Sequence, residues 1–246
     1  MNVTNPTILF VPGSFAPPTI YAATIAHMRN LGFPSVALEL PSTVKRMPLA
    51  PATMLDDASV ITRAVETILS QGKEVVVVSH SYGGTPMSQA LVGLDVKRMI
   101  YVTAIAPKVG QNQVQALGAE VLPMEEVGGY MHLDAVAFAA NTCNDLPWEL
   151  AYEATLNFAH HSASSFLQPV TQVAYADGKI PVSYVVTEKD LVVPVAAQRG
   201  FIKVIEEASG RNVSVVSLES SHCPNWSIPE RLGDVIVAET QKEDEW

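Results

Sequence analysis

Four consecutive valines, Val75, Val76, Val77 and Val78, stand inside the run Lys73-Glu74-Val75-Val76-Val77-Val78-Ser79 with no alternation of apolar and polar positions. A strand with one wet face alternates with period two. A strand without alternation has both faces covered, the condition of an interior strand in a parallel sheet flanked by helices. The run ends at Ser79-His80-Ser81-Tyr82-Gly83-Gly84, where strand signals give way at once to helix signals. A residue on so sharp a turn is forced into a strained backbone, and the positions two before and two after it must be small. Ser79 and Gly83 meet that demand.

Other segments repeat the theme. Short apolar or β-branched runs closed by turn formers predict strands over 7–11, 35–40, 73–79, 97–103, 181–186 and 212–218. Helical spacing predicts helices over 21–31, 53–70, 82–92, 164–174 and 194–208, and a last one from Pro229. Strands alternating with helices imply an α/β architecture, a mostly parallel six-stranded doubly wound sheet. Between 107 and 165 the rhythm breaks. This stretch carries helices predicted over 133–140 and 147–158, several glycines and no expected strand. It is expected to fold as a helical cap over one sheet edge. Residues 1–106 and 166–246 would form the core, with 107–165 as the cap.

Composition narrows the partners. Of 246 residues, 48% are apolar and 16% charged, which suits a large core and excludes disorder as the dominant state. With 25 acidic against 15 basic residues the formal charge is −10, so no nucleic-acid surface is expected. The 2 cysteines, Cys143 and Cys223, make no disulfide framework or CxxC pair and are expected as free thiols. The N-terminus lacks the basic start and long apolar run of a signal peptide, and no apolar run reaches the length of a membrane span. The expected location is the cytoplasm.

Three polar residues follow predicted strands. Ser81 sits at the sharp turn as candidate nucleophile. Asp190 follows the strand at 181–186, where ligands of open α/β sheets gather; Glu188 is a rival acid two residues away. His222 lies in the polar turn after the last strand. A serine hydroxyl is a poor nucleophile until an imidazole takes its proton, and a carboxylate orients and offsets the resulting imidazolium. The chain order Ser81, Asp190, His222 fits that constellation. Gly13-Ser14 follows the first strand, where the backbone N–H of Ser14 can join that of Tyr82 as an oxyanion hole. His27, His132, His160 and His161 offer no metal-ligand spacing, and neither metal nor cofactor is expected.

At these positions the chain resembles the α/β-hydrolase superfamily over nearly its whole length, and within it the group of plant methylesterases and hydroxynitrile lyases with small fungal and bacterial relatives. Val11-Pro12-Gly13-Ser14-Phe15 is similar to that group's oxyanion loop, with Pro12 where His is usual. The Ser81 turn, the Asp190 loop with Pro194 and Gln198, and the His222 loop with Pro224, Ser227 and Pro229 complete the likeness. Phe15, His80, Trp148 and Cys223 are candidate substrate-binding residues; the expected cap also supplies Met124, Tyr130, Met131, Phe138 and Phe158, mostly for its own core, and any of these that face Ser81 would favour an apolar substrate. Hydroxynitrile lyases of this type place Lys directly after the catalytic His. Here Cys223 stands there, which disfavours cyanohydrin cleavage.

The expected activity is serine hydrolysis of a small, fairly apolar carboxylic ester or lactone. The expected partner is a small-molecule ester, thioester or lactone, and a homodimer is an admissible assembly. Two other readings stay open at this point. One is a lyase, cyclase or C–C bond hydrolase using the same triad; the other is a ligand receptor that has kept the pocket.

Overall fold

The computed structural model describes residues 5–118 and 124–243. Nine strands lie among the described residues: β1 (Thr7–Val11), β2 (Ser35–Ala37), β3 (Val75–His80), β4 (Arg98–Val102), β5 (Glu125–Val127), β6 (Tyr130–His132), β7 (His161–Ser162), β8 (Val182–Thr187) and β9 (Ser214–Leu218). Six of them form one sheet in the order β2-β1-β3-β4-β8-β9, parallel throughout. All six predicted core strands are present in it.

The valine run behaves as its lack of alternation requires. Val78 pairs with Phe10 on one side and Ile100 on the other, and every residue of β3 is buried. Val75 and Val77 enter one apolar core, Val76 and Val78 the other. Helices cover both faces. In chain order they are α1 (Ala22–Asn30), α2 (Pro41–Val44), α3 (Met54–Ser70), α4 (Gly84–Ala90), α5 (Gln113–Leu117), α6 (Ala135–Thr142), α7 (Trp148–Thr155), α8 (Ala163–Leu167), α9 (Val195–Ser209), α10 (Pro224–Ser227) and α11 (Pro229–Gln241). Ile61 and Val65 of α3, Met87 of α4 and Ile205 of α9 fill the first core. Met28 of α1 and Leu232 and Ile236 of α11 fill the second. At the start of α3, Thr53 accepts from the Asp56 N–H while the Asp56 carboxylate accepts from the Thr53 N–H. Such a cap is worth about 1 kcal/mol and fixes where the helix begins.

The strand order reverses beside β1. From β1 the chain goes outward to β2, then back across to β3 on the other flank. The carboxyl ends of β1 and β3 therefore diverge around a crevice, the usual ligand position in an open α/β sheet.

Two expectations need correction. The stretch between β4 and β8 holds an antiparallel sheet, β5-β6-β7, where no strand was expected. Gly128 and Gly129, at φ of 60° and 84°, make the two-residue turn that joins β5 to β6, the conformation for which Gly-Gly is suited. The helix predicted over 164–174 stops at Leu167. Gln168 turns extended ahead of Pro169, whose ring disfavours the helical conformation of the residue before it.

Candidate active site

β3 delivers His80 to the carboxyl edge of the sheet, and Ser81 follows at φ 52°, a region side chains other than glycine enter at a cost. The turn is tight enough to exclude a side chain at the second position after it: a Cβ on Gly83 would lie 2.5 Å from the Val11 oxygen and 2.6 Å from that of Pro12. On the other flank, a Cβ on Gly13 would come within 3.2 Å of Ser81 Cβ. The loop after β1 thus lies directly against Ser81.

The three residues singled out after strands converge. His222 Nε2 lies 3.0 Å from Ser81 Oγ, and His222 Nδ1 lies 2.8 Å from Asp190 Oδ2. A carboxylate can only accept, so Nδ1 carries the proton and Nε2 is left to accept from the serine hydroxyl. Asp190 is buried but well supplied with donors. Its Oδ2 also accepts from the hydroxyls of Thr103 (2.5 Å) and Thr187 (3.0 Å), and its Oδ1 from the N–H groups of Val192 and Val193 (both 2.8 Å). Burial pushes this carboxyl up; the charge and hydrogen bond of His222, with Thr103 and the Val193 N–H, more than offset that and hold it below the ordinary carboxylate range. Glu188 is engaged elsewhere, with Arg199 (3.1 Å) and the Ser217 hydroxyl (2.6 Å).

Two backbone N–H groups beside Ser81 have no acceptor among the described residues. Tyr82 lies in the first turn of the 3-10 helix Ser81–Gly83, whose opening N–H groups have no acceptor within the helix. The Ser14 N–H has no acceptor among the described residues. The neighbouring N–H of Phe15 is taken: it donates to His161 Nδ1 (3.3 Å), while the Phe15 carbonyl accepts from the Ala159 N–H (2.7 Å). Phe15 sits at φ 63°, so both its backbone polar groups are clasped in a conformation that would otherwise relax.

A Ser-His-Asp arrangement at the carboxyl edge of such a sheet occurs on more than one fold, and relatedness is a separate question. The sequence profile of the alpha/beta hydrolase family matches residues 8–235. The chain belongs to that family. It is 59% identical over 241 residues to "Probable hydrolase R7" of Phoma sp. (strain ATCC 20986 / MF5453), covering 96% of this chain and 98% of that one. Among solved structures, a pyrethroid hydrolase from Sphingobium faniae JZ-2 superposes with a TM-score of 0.77 at 22% identity, covering 99% and 100% of the two chains. Polyneuridine aldehyde esterase superposes with a TM-score of 0.80 at 15% identity, covering 96% of this chain and all (100%) of that one. At these identities the structures share the fold.

In this hydrolase the pocket over Ser81 is lined beside the triad by Ser14, His80 and Cys223, and Phe15 forms part of its apolar wall. His80 is a brace as well as a wall. Its Nε2 donates to the His222 carbonyl (2.7 Å), which leaves Nδ1 to accept from the Tyr21 hydroxyl (2.8 Å). Tyr21 Oη in turn accepts from the Gly13 N–H (3.0 Å). A directed chain of donors therefore ties the loop after β1 to the loop carrying His222. Burial, then the neighbouring His222, drives the His80 pKa down to about 3, so the ring is neutral and the chain keeps its direction.

Trp148 is a correction. It is 54% exposed at the start of α7, stacked on Tyr152 at 5.1 Å between ring centroids, and does not line the pocket. Phe138, Phe158 and Met124 from the same inserted segment line it instead. Sequence reasoning also missed three side chains. Thr103 reaches Asp190 from the end of β4, His161 clasps Phe15 from 146 positions away, and Asp57 accepts from the Tyr82 hydroxyl at 2.7 Å. Only Thr103, the last residue of a predicted strand, had a local signal.

Among the described residues, no three His, Cys, Asp or Glu side chains assemble in a way that could hold a metal ion, and no helix is long and apolar enough to cross a membrane.

Proposed function

We propose that this protein is a serine hydrolase that cleaves a small, fairly apolar carboxylic ester or lactone without a cofactor, through an acyl-enzyme on Ser81. The observation that carries this reading is the unbroken line from Ser81 Oγ to His222 Nε2 (3.0 Å) and from His222 Nδ1 to Asp190 Oδ2 (2.8 Å).

In the first half-reaction Ser81 Oγ attacks the ester carbonyl carbon and its proton passes to His222 Nε2. Asp190, held ionised by its donors, stabilises the imidazolium. The carbonyl oxygen, now an oxyanion, accepts from the N–H groups of Ser14 and Tyr82; one such donor is typically worth on the order of 10² to 10³ in rate. The intermediate collapses, the C–O bond to the alcohol breaks, and His222 returns the proton to the leaving oxygen. In the second half-reaction water attacks the acyl carbon as His222 takes its proton; the bond from the acyl carbon to Ser81 Oγ then breaks, His222 returns the proton to Oγ, and the acid departs.

The inserted segment, residues 107–165, acts as a cap in this reading: Met124, Phe138 and Phe158 cover the pocket and favour an apolar substrate. Cys223 contributes a small apolar wall. Both cysteines are free thiols, the state a reducing compartment such as the cytoplasm maintains.

A serine-directed alkyl phosphonate tests the reading. One phosphonyl group on the peptide containing Ser81, and none in Ser81→Ala or on any other peptide, is expected. Labelling elsewhere with loss of activity would overturn it.

A further inference from the structure

Beyond Ser14, His80 and Cys223, which stand beside the triad, the pocket is walled by carbon with one exception. Gln113 opens α5 and lines the pocket at 4% exposure. Its position is fixed from two sides. Asn112 and Gln115 cap each other across the first turn of α5, and the Asn112 amide donates to the Leu167 carbonyl (3.3 Å), docking α5 beside α8. On the amide itself, the buried Thr85 hydroxyl donates to Oε1 at 2.5 Å. That bond spends the acceptor end and turns the donor end to the cavity, where Nε2 has no partner among the described residues. Nε2 is not one of the enclosed unpartnered side-chain atoms, so it is open to the cavity, and a donor placed there in a mostly apolar wall is matched by what enters. Gln113 makes no hydrogen bond to Ser81, His222 or Asp190, so its amide is separate from the triad's own network.

We propose that Gln113 is a specificity-determining residue whose Nε2 amide donates to a second oxygen of the substrate, so that the enzyme selects an apolar ester carrying one further hydrogen-bond acceptor (a carbonyl, ether or hydroxyl oxygen) beyond its scissile carbonyl. The inference rests on the reading of Ser81 only for where the scissile ester sits. Phe138, Phe166 and Met124 supply apolar contact that is indifferent to the position of such an oxygen. The amide is therefore the group that reads it. A site built to hydrogen-bond its substrate discriminates by leaving its own polar group unpaired when the wrong analogue binds.

The experiment walks one ether oxygen along the substrate. 4-Nitrophenyl hexanoate and its oxa analogues scan the acyl side; hexyl butyrate and its oxa analogues scan the alcohol side. The readout is the kcat/KM of each oxa ester relative to its parent, in the native enzyme and in Gln113→Met. Taking the ratio between the two proteins removes the intrinsic reactivity of each ester. One oxygen position is expected to be favoured about 3- to 10-fold by the native enzyme, the effect of one net hydrogen bond, and to lose that advantage in Gln113→Met. Thr85→Val/Gln113→Met removes both partners of the buried bond and keeps the test intact where the single variant folds poorly. No favoured position in either series, or a preference that survives in both variants, overturns the proposal. Dissociation constants of the oxa acids and oxa alcohols, the reaction products, read the same contact without turnover. They separate a failure of Gln113 from a failure of Ser81, which would appear as undiminished hydrolysis by Ser81→Ala.

Discussion

The Thr103 hydroxyl lies 2.5 Å from Asp190 Oδ2, the same oxygen that faces His222 Nδ1, and Thr103 reaches it from a backbone held at φ 40°. A residue placed in that region just beyond β4, with its side chain on a buried carboxylate, links the strain of the turn to the orientation of the acid. The Thr103 hydroxyl both anchors Asp190 and helps hold it ionised.

Thr103→Val keeps the shape and removes that donor. A hydrogen bond to a buried charge is worth about 1.5–3 kcal/mol, so a stability loss of this size is expected in urea unfolding. The kcat is expected to fall on the order of tenfold with KM little changed, because the alteration acts through His222 and not on bound substrate. Unchanged stability and kcat would remove Thr103 from the account.

Asp190 and Glu188 stand two residues apart and only one meets His222. Asp190→Asn puts an amide where Nδ1–H needs an acceptor and favours the wrong imidazole tautomer; a loss on the order of 10⁴ in kcat is expected. Glu188, bound to Arg199 and Ser217 near the surface, is expected to tolerate Gln within about twofold. Steady-state kinetics of the two variants on one ester decides between the acids, and a larger loss in Glu188→Gln would reverse the assignment.

Acid should weaken the fold through its buried histidines. Burial, with His160 nearby, drives His161 to about 3 from an ordinary 6.5, and His80 is held equally low. The unfolded chain therefore binds more protons than the folded one between about pH 6.5 and 3. Stability present above that window drains as the pH falls through it. Asp57 acts in the opposite sense: burial raises its carboxyl from 3.8 to about 6, so the folded state holds the extra proton between those values. His161→Asn keeps an oxygen to accept from the Phe15 N–H and removes one of the two histidines. Relative to this variant, the native protein should lose up to about 1.4 kcal/mol per pH unit below 6.5, measured by urea unfolding at pH 7.5, 6 and 5. Parallel pH profiles would contradict it.

The parts of this protein legible in its sequence are those where one local pattern determines the structure. Val75, Val76, Val77 and Val78 announce a strand covered on both faces, and the Ser79-to-Gly84 turn follows from the small residues a close approach requires. Ser81, Asp190 and His222 could be found because each follows a strand whose carboxyl end lies at the same rim. The hairpin of β5 and β6 is hard to read in the sequence because its strands are three residues long and β5 is wholly exposed, leaving no burial pattern; the Gly128-Gly129 turn is its one sign. Trp148 gives no local indication of which way it faces, and stacking on Tyr152 takes it outward. The clasp of His161 on Phe15 joins residues 146 apart and exists only once the inserted segment has docked.

The most direct test of the central claim is ester hydrolysis by Ser81→Ala. The hydroxyl is buried, so its removal should leave the fold intact, and kcat should drop on the order of 10⁴ to 10⁶ with far smaller change in KM. Hydrolysis by Ser81→Ala within tenfold of the native rate would contradict the account.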